Sequence, residues 1–506
     1  MTVAKLKNLL IFFQYTQKTI LMIKQILSYL FLFILSLSIA KKGKPSSERP
    51  NIIVIMADDL GYRDLGVYGC KDIRTPNIDK LAHNGGRFTS AYVTGCMCGP
   101  SRAGFITGRN QSSFGYYKNP PKPLDPSQGF SEGTLTFASL LQQQGYTTGG
   151  VGKWHMGTAP HQHPNAVGYD DWFGFLGGGL TYYPLDHYGD LYQKKKRPWG
   201  TRDLHHTLPI IHNQKPIQWE GYVTHVLTDA GIDFINENKE KPFYLFMSYN
   251  APHLELEAPQ ETIAKYPEDK MTEVPGVTPH SRSIYAAMVE ELDQGVGKLM
   301  QTLEKNGLAE NTIIWFLSDH GGMKKTSDNR PLKGAKGSFD EGGLRVPLIV
   351  HWPKKIKKGT VYDGIVSSLD IGATAVALAG GEIKKEELHG EDLTSYITHQ
   401  QNTSPRHSLC WRKNLANNSG VIRDGKYKLF IDTKKLYDLE NDIHEDDDIA
   451  SKHPELVNKL VQQWKEWSKV TVDYQLFKYN STPNRKSTYQ FGSYDWLKGN
   501  VNYKAP

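Results

Sequence analysis

The run Cys98-Gly99-Pro100-Ser101-Arg102 sets a cysteine two residues before a proline and four before an arginine. A proline near the first turn of a helix loses nothing by lacking its N–H, and the start of that helix favours an anion close to residue 98. Arg102, one turn on, carries a guanidinium suited to an oxyanion or to holding a nucleophile in place. Cys96 lies two residues earlier, and a C-x-C pair is also a redox or metal element, but only Cys98 has Pro at +2 and Arg at +4. Asp58-Asp59 and Asp319-His320 supply a hard, mainly oxygen donor set, which suits Ca²⁺ or Mg²⁺ better than Zn²⁺. Lys153, His155, His253 and Lys336 add cations that would complete an anion pocket and stabilise charge as it develops there. Singly, an Asp-Asp pair after a strand reads as a turn or a helix cap, a glycine-flanked lysine as a solvated loop, and a cysteine as core. Together they describe a nucleophile, a cation site and an anion pocket.

The elements that must position these groups are legible as well. Asn51-Ile52-Ile53-Val54-Ile55-Met56 is an apolar, β-branched run that predicts a strand buried on both faces. The pattern recurs at Tyr146–Val151, Phe243–Ser248, Thr312–Leu317 and Val346–Val350, with helices predicted at Ser131–Gln144, Val223–Asn236 and Ser281–Glu304. Strands alternating with helices predict an α/β fold, a large doubly wound, mostly parallel sheet flanked by helices. Asp58-Asp59 follows the first strand, Lys153-Trp154-His155 the second, Asn250-Ala251-Pro252-His253 the third and Ser318-Asp319-His320 the fourth. Ligands bind beyond the carboxyl ends of such strands, so the four clusters are expected to converge on one cleft. Beyond about Asp370 the texture changes: Gly420–Asp432 and Lys435–Leu439 predict a short antiparallel meander, and Pro454–Trp467 an amphipathic helix. The expected organisation is a catalytic α/β domain over 50–370 and a smaller C-terminal α+β domain over 371–506, ending in a Tyr-, Asn- and Lys-rich tail.

Bulk properties narrow the partners. A net charge of +7 spread over 506 residues, with no dense basic stripe, argues against nucleic acid and is compatible with an anionic substrate. Ile26–Ala40 is apolar, preceded by Lys24 and followed by Lys41-Lys42, with Ser38-Ile39-Ala40 as a cleavage site. Residues 1–40 are therefore expected to be a signal peptide, with Met22 an alternative start, and 41–49 a basic linker. The run is short for a membrane span, which favours cleavage and export to periplasm or medium over stable membrane insertion. With Cys98 assigned to chemistry, Cys70, Cys96 and Cys410 allow at most one disulfide.

Taken in order, Asp58-Asp59, Thr75-Pro76-Asn77-Ile78-Asp79, the Cys98 block through Arg109, Gly152-Lys153-Trp154-His155, Ala251-Pro252-His253, Ser318-Asp319-His320-Gly321 and Gly334 to Pro347 around Lys336 resemble type I sulfatases of the alkaline phosphatase superfamily. Leu436-Tyr437-Asp438-Leu439 resembles that family's C-terminal domain. The resemblance implies a sulfuric ester hydrolase in which a maturation enzyme oxidises Cys98 to formylglycine, whose hydrate is the nucleophile. It implies a metal site of Asp58, Asp59, Cys98, Asp319 and His320, with calcium as the ion and magnesium as the alternative; His320 stands where many members have Asn. It further implies that Asp319 draws off the proton of the attacking hydroxyl and that His253, helped by Lys336, protonates the departing alcohol. His155 then deprotonates the second hydroxyl so that sulfate is expelled, while Arg102 and Lys153 hold charge.

The substrate side is read from Gly177 to Gln218, which holds Tyr182, Tyr183, His187, Trp199, Arg202, His205 and His206. Aromatic faces with cationic side chains suit sulfated sugars, although the same residues fit packing or a solvated loop. Trp411-Arg412 is expected to reach the cleft rim. The expected substrate is a sulfated oligosaccharide or polysaccharide of algal or glycosaminoglycan type. A phosphate or phosphonate ester hydrolase of the same superfamily and a non-catalytic binder of sulfated glycans are the alternatives.

Overall fold

Strand β1 (Asn51–Ala57) sends alternate side chains into two different cores, as its unbroken apolar run requires. Ile52, Val54 and Met56 enter one, and Ile53, Ile55 and Ala57 the other. The computed structural model describes residues 22, 24, 25, 49–120, 128–184, 208–414 and 419–472. The chain divides into Met1–Glu48 and a unit from Arg49 onward, which carries everything below. The signal peptide and linker expected over 1–49 thus lie almost wholly outside the described residues. Among the described residues no helix is long and apolar enough to cross a membrane.

The remaining strands are β2 (Gly86–Phe88), β3 (Ala91–Tyr92), β4 (Thr147–Lys153), β5 (Asp171–Phe175), β6 (Ile211–His212), β7 (Lys215–Pro216), β8 (Phe243–Ser248), β9 (Thr312–Ser318), β10 (Leu348–His351), β11 (Thr360–Tyr362), β12 (Val366–Ser367), β13 (Ser408–Asn414), β14 (Ser419–Asp424), β15 (Tyr427–Phe430) and β16 (Leu436–Asp438). Nine of them join β1 in a ten-stranded sheet in the order β11-β2-β10-β9-β1-β8-β4-β5-β6-β7. Its centre, β9-β1-β8-β4-β5, is entirely parallel. Register then fixes the site: Ala57 pairs with Ser318, Met56 with Ser248 and Ser248 with Gly152, so the residues after β1, β4, β8 and β9 emerge together at one edge.

Helices cover both faces. On one side lie α1 (Cys98–Thr107), α2 (Phe137–Gln143) and α3 (Leu369–Leu378), which place Phe105, Phe137 and Ile371 against the sheet. On the other, α4 (Val223–Asn238) and α5 (Pro279–Lys305) bury Leu227, Tyr285 and Leu292. This is the doubly wound, mostly parallel α/β architecture with helices on both faces. Leu388, Leu393 and Ile397 join the same core as α3. A separate four-stranded antiparallel sheet, β13-β14-β15-β16, packs Ile422, Leu429 and Leu436 against Val457, Leu460 and Trp464 of α6 (Pro454–Ser468).

Three expectations need correction. The helix predicted from Ser131 begins only at Phe137, because Gly133 takes a left-handed φ of 74° and Thr136 caps the helix by accepting from the Ser139 amide at 3.1 Å. The strand predicted at Val346–Val350 is Leu348–His351 and runs antiparallel to β9, so the sheet reverses there. Strand β13 was not foreseen, since Ser-Leu-Cys-Trp-Arg-Lys-Asn shows no clean alternation. All four cysteines are free thiols, within the expected limit of one bridge.

Candidate active site

Cys98 opens α1, and the Ser101 amide closes the first turn on the Met97 carbonyl at 3.0 Å, so Pro100 sits where no helical N–H is needed. The whole helix is buried, which fixes residue 98 at the carboxyl edge of the sheet. Its sulfur lies 3.8 Å from Asp58 Oδ1 and 3.2 Å from His320 Nε2. Asp58, Asp59, Cys98 and His320 each bring a ligand atom within 4.8 Å of the others, and all four are buried. Asp59 and His155 both have left-handed backbones, at φ 66° and 68°, a conformation costly for residues with a Cβ and found where a site dictates it. The His155 ring lies against Gly178, where an added Cβ would stand 2.8 Å from Nε2.

Each carboxylate has at least one cation against it. Lys153 Nζ lies 2.5 Å from Asp58 Oδ2, and Lys336 Nζ donates to both oxygens of Asp59 at 2.7 and 2.9 Å. Arg102 Nε donates to Asp319 Oδ2 at 3.0 Å, and its Nη2 lies 3.5 Å from Asp58 Oδ2. His253 Nε2 is 3.8 Å from Asp59. Asp319 therefore stands beside the four-residue cluster: Arg102 takes one oxygen, while the other lies 3.6 Å from His320 Nε2 and accepts from the Asp59 amide at 3.3 Å.

These neighbours set the protonation of the site. Burial pushes the Cys98 thiol up, but Lys153, Lys336 and His320 together outweigh it and hold the group well below the ordinary thiol value. Burial likewise raises Asp58, and Lys153, His253 and Arg102 reverse this, leaving it ionised. Asp319, buried beside the negative Asp58, is pushed up to about 6. Burial opposes the charge on His320, yet Asp319 and Cys98 lift it to about 9. The field favours negative charge at residue 98 and leaves one neighbouring carboxylate able to take a proton.

The chain's donor set fits a hard divalent cation. Asp58 and Asp59 supply carboxylate oxygens in a buried space with Asp319 beside them, His320 adds one nitrogen, and Cys98 adds a sulfur, the one soft donor of the set.

Cys98, Arg102, Lys153, His155, His253, Lys336, Asp58, Asp59, Asp319 and His320 thus meet at one place, as convergence of the strand ends requires. The substrate-side expectations fare differently. Tyr182 is fully buried, and its hydroxyl donates to the carbonyls of Asn250 and His253 at 3.0 and 2.8 Å, so it supports the His253 loop from beneath. Tyr183 is half-buried and packs at 5.5 Å on Tyr222. Trp411 and Arg412 do not reach a rim. The Trp411 indole is buried and donates to the Val93 carbonyl at 2.8 Å, and Arg412 is buried over Trp464, bonded to the Ser468 carbonyl and Thr471 hydroxyl. His187, Trp199, Arg202, His205 and His206 lie outside the described residues.

Sequence reasoning missed Ser248. The last residue of β8, it accepts from Arg102 Nη1 at 2.6 Å and donates to the Lys153 carbonyl at 2.7 Å, tying two strand ends to helix α1. A serine ending an apolar strand carries no motif, and only its register beside Gly152 and Met56 could have singled it out.

The sulfatase family model matches residues 50–381, and a model of the N-sulphoglucosamine sulphohydrolase C-terminal region matches 335–471. The chain belongs to the sulfatase family of the alkaline phosphatase superfamily. It is 31% identical to N-acetylgalactosamine-6-sulfatase of Rattus norvegicus over 68% of its own length and 64% of that protein's, so it spans just under two thirds of that relative. It is 32% identical to arylsulfatase A of Bos taurus over 78% of its own length and 77% of that protein's. The solved structure of Ps i-CgsB in complex with k-i-k-neocarrahexaose superposes with a TM-score of 0.77 at 36% identity, covering 87% of this chain and 100% of that one.

Proposed function

We propose that this protein is an exported hydrolase that removes sulfate from a carbohydrate, acting on oligosaccharides derived from a sulfated polysaccharide. The observation that carries the reading is the placement of residue 98, 3.2 Å from His320 and 3.8 Å from Asp58, at the helix start where four strand ends meet. The neocarrahexaose bound by Ps i-CgsB supports a carbohydrate substrate of the algal type.

In this reading Cys98 is oxidised by a maturation enzyme, and formylglycine as its hydrate supplies a hydroxyl nucleophile that a thiol does not. A divalent cation, Ca²⁺ by preference and Mg²⁺ as alternative, held by Asp58, Asp59, His320 and residue 98 with Asp319 beside them, supplies charge that polarises the sulfate oxygens. Lys153 and Arg102 add fixed positive charge, which stabilises what develops as the S–O bond breaks. Asp319, pushed up to about 6, is placed to take a proton near residue 98. His253 and Lys336, both against Asp59, are placed together to protonate the departing sugar oxygen. His155, hydrogen-bonded to residue 98, is the base for the step that returns the site to its starting state.

The test is sulfate release from a panel of defined sulfated oligosaccharides of algal and glycosaminoglycan type, using protein from a maturation-competent host. Chelator-treated protein and matched phosphate esters serve as controls. Release of sulfate that falls on chelation and returns with Ca²⁺ is expected. Faster turnover of the phosphate esters, or binding without release, contradicts the proposal.

A further inference from the structure

A cavity of about 500 Å³ opens beside the site, lined by Lys324, Asp328, Arg330, Lys336 and Gly337 among others. Lys336 belongs to both places, since it lines this cavity and bonds Asp59. The volume falls in the range of small-ligand sites and admits a pyranose ring. Three cationic side chains face it against a single carboxylate, and that carboxylate is spent on one of them.

The arrangement of Arg330 is unusual for a residue 38% exposed. Asp328, whose side chain is 5% exposed, grips it in a fork: Nε donates to Oδ1 at 2.8 Å and Nη2 to Oδ2 at 2.6 Å, while the Arg330 amide adds a third bond to Oδ1 at 3.0 Å. Asp328 is itself anchored, its amide donating to both oxygens of Asp64 at 3.2 and 3.1 Å. Asp64 in turn is held by buried Arg282 at 2.6 Å and Tyr285 at 2.7 Å. A surface arginine ordinarily loses rotamer freedom when it fixes a ligand. Here the protein has fixed the fork beforehand through Nε and Nη2, and Nη1 is not used by Asp328. Pre-organised guanidinium groups of this kind recognise sulfate and carboxylate oxygens.

We propose that this cavity is a second anion subsite of the same cleft, in which Arg330, held by Asp328, binds an anionic substituent on the sugar adjoining the one that loses sulfate. The inference rests on the proposed glycan sulfatase reading and deepens it: the substrate class is a glycan with charge on neighbouring rings. The shared chemistry is a monoanionic oxygen group, supplied either by a second sulfate ester or by a uronate carboxylate.

The experiment compares three oligosaccharides that share the scissile sulfate: one with no other charge, one with a second sulfate on the adjoining ring, and one with a carboxylate there. The parent protein prefers a doubly anionic member, and the arm with the larger preference identifies the anion. In Arg330→Ala and in the bulk-preserving Arg330→Gln the preference in kcat/KM collapses at least tenfold, mainly through KM, and Arg330→Lys restores part of it. Calorimetric binding of the same three compounds to a Cys98→Ala background reads the subsite without turnover, so it stands even if no sulfate is released. There too, Arg330→Gln removes at least tenfold of the discrimination. A preference that survives within twofold in both variants, or an equal loss on the singly sulfated compound, overturns the proposal.

Discussion

Two buried clusters of charge stand on either side of the loop 333–345, and they are built on opposite plans. In the cluster on the C-terminal sheet, Lys428 lies 2.9 Å from Glu341 and 2.8 Å from Glu445, with all three side chains fully buried. Arg345 reaches Glu341 at 3.4 Å, and Tyr92 donates to the same carboxylate at 2.5 Å while receiving Arg423. Each acid there is in contact with a base. In the active site the acids also have bases, but Asp58 and Asp59 crowd each other together with Cys98 and His320. A buried charge cluster closed on itself holds elements in register, whereas one with like charges pressed together is poised for something from outside. The same loop connects the two, because Lys336, on Asp59, lies five residues before Glu341, on Lys428. The C-terminal sheet thereby clamps the segment that carries a site lysine.

The comparison can be broken at either cluster, and the largest effect belongs to the open one. Cys98→Ala removes the proposed nucleophile and is expected to lower kcat/KM by about 10,000-fold or more, with the thermal transition nearly unchanged. In the closed cluster, Lys428→Met removes the buried base that Glu341 and Glu445 share and should destabilise by about 3–5 kcal/mol in a denaturant titration. A loss confined to a few tenths of a kcal/mol would show that the cluster holds nothing. Ser248→Ala strips a hydrogen bond from Arg102 and another from the Lys153 carbonyl, so kcat should fall roughly 10- to 100-fold, a loss of about 1–3 kcal/mol. An unchanged kcat would mean that the strand ends need no such tie.

The smallest effect sharpens the closed cluster through pH. Burial and the neighbouring Glu341 push Glu445 up to about 7 despite Lys428, whereas Glu341 is held down to about 2, where Lys428 outweighs its burial. A carboxyl raised on folding stabilises fully below its ordinary value of 4.5, and that contribution is lost as pH rises to about 7. Glu341 acts in the opposite sense, stabilising above 4.5 and losing this as pH falls towards 2. Glu445→Gln keeps the neutral form at every pH. Its stability relative to the parent should therefore increase between pH 4.5 and 7, by about 1–2 kcal/mol, and a difference flat across that window would contradict the assignment.

The open cluster was legible in the sequence and the closed one was not, for a physical reason. Asp58, Lys153 and Asp319 follow or end apolar strands of a parallel sheet, so topology alone gathers them, and Cys98 declares itself by Pro100 and Arg102. Tyr92, Glu341, Lys428 and Glu445 lie on a short strand, a four-residue helix, an antiparallel strand and a loop, with no spacing that ties them. Their meeting depends on how the antiparallel sheet docks, which periodicity does not encode. Trp411 shows the same limit from the other side: an aromatic-cation pair looks like a binding rim until docking buries it against Val93. The fold's centre was read from apolar runs, while β10 escaped in direction because a strand's orientation leaves no trace in its own composition.

The central claim is that sulfate ester cleavage runs through residue 98 in an oxidised form. Mass spectrometry of the peptide bearing residue 98 should be paired with turnover for preparations made with and without a formylglycine-generating enzyme. Turnover is predicted to rise in proportion to the fraction of aldehyde at that position and to vanish where only thiol is found. Full sulfate release from protein whose residue 98 is entirely cysteine would contradict it.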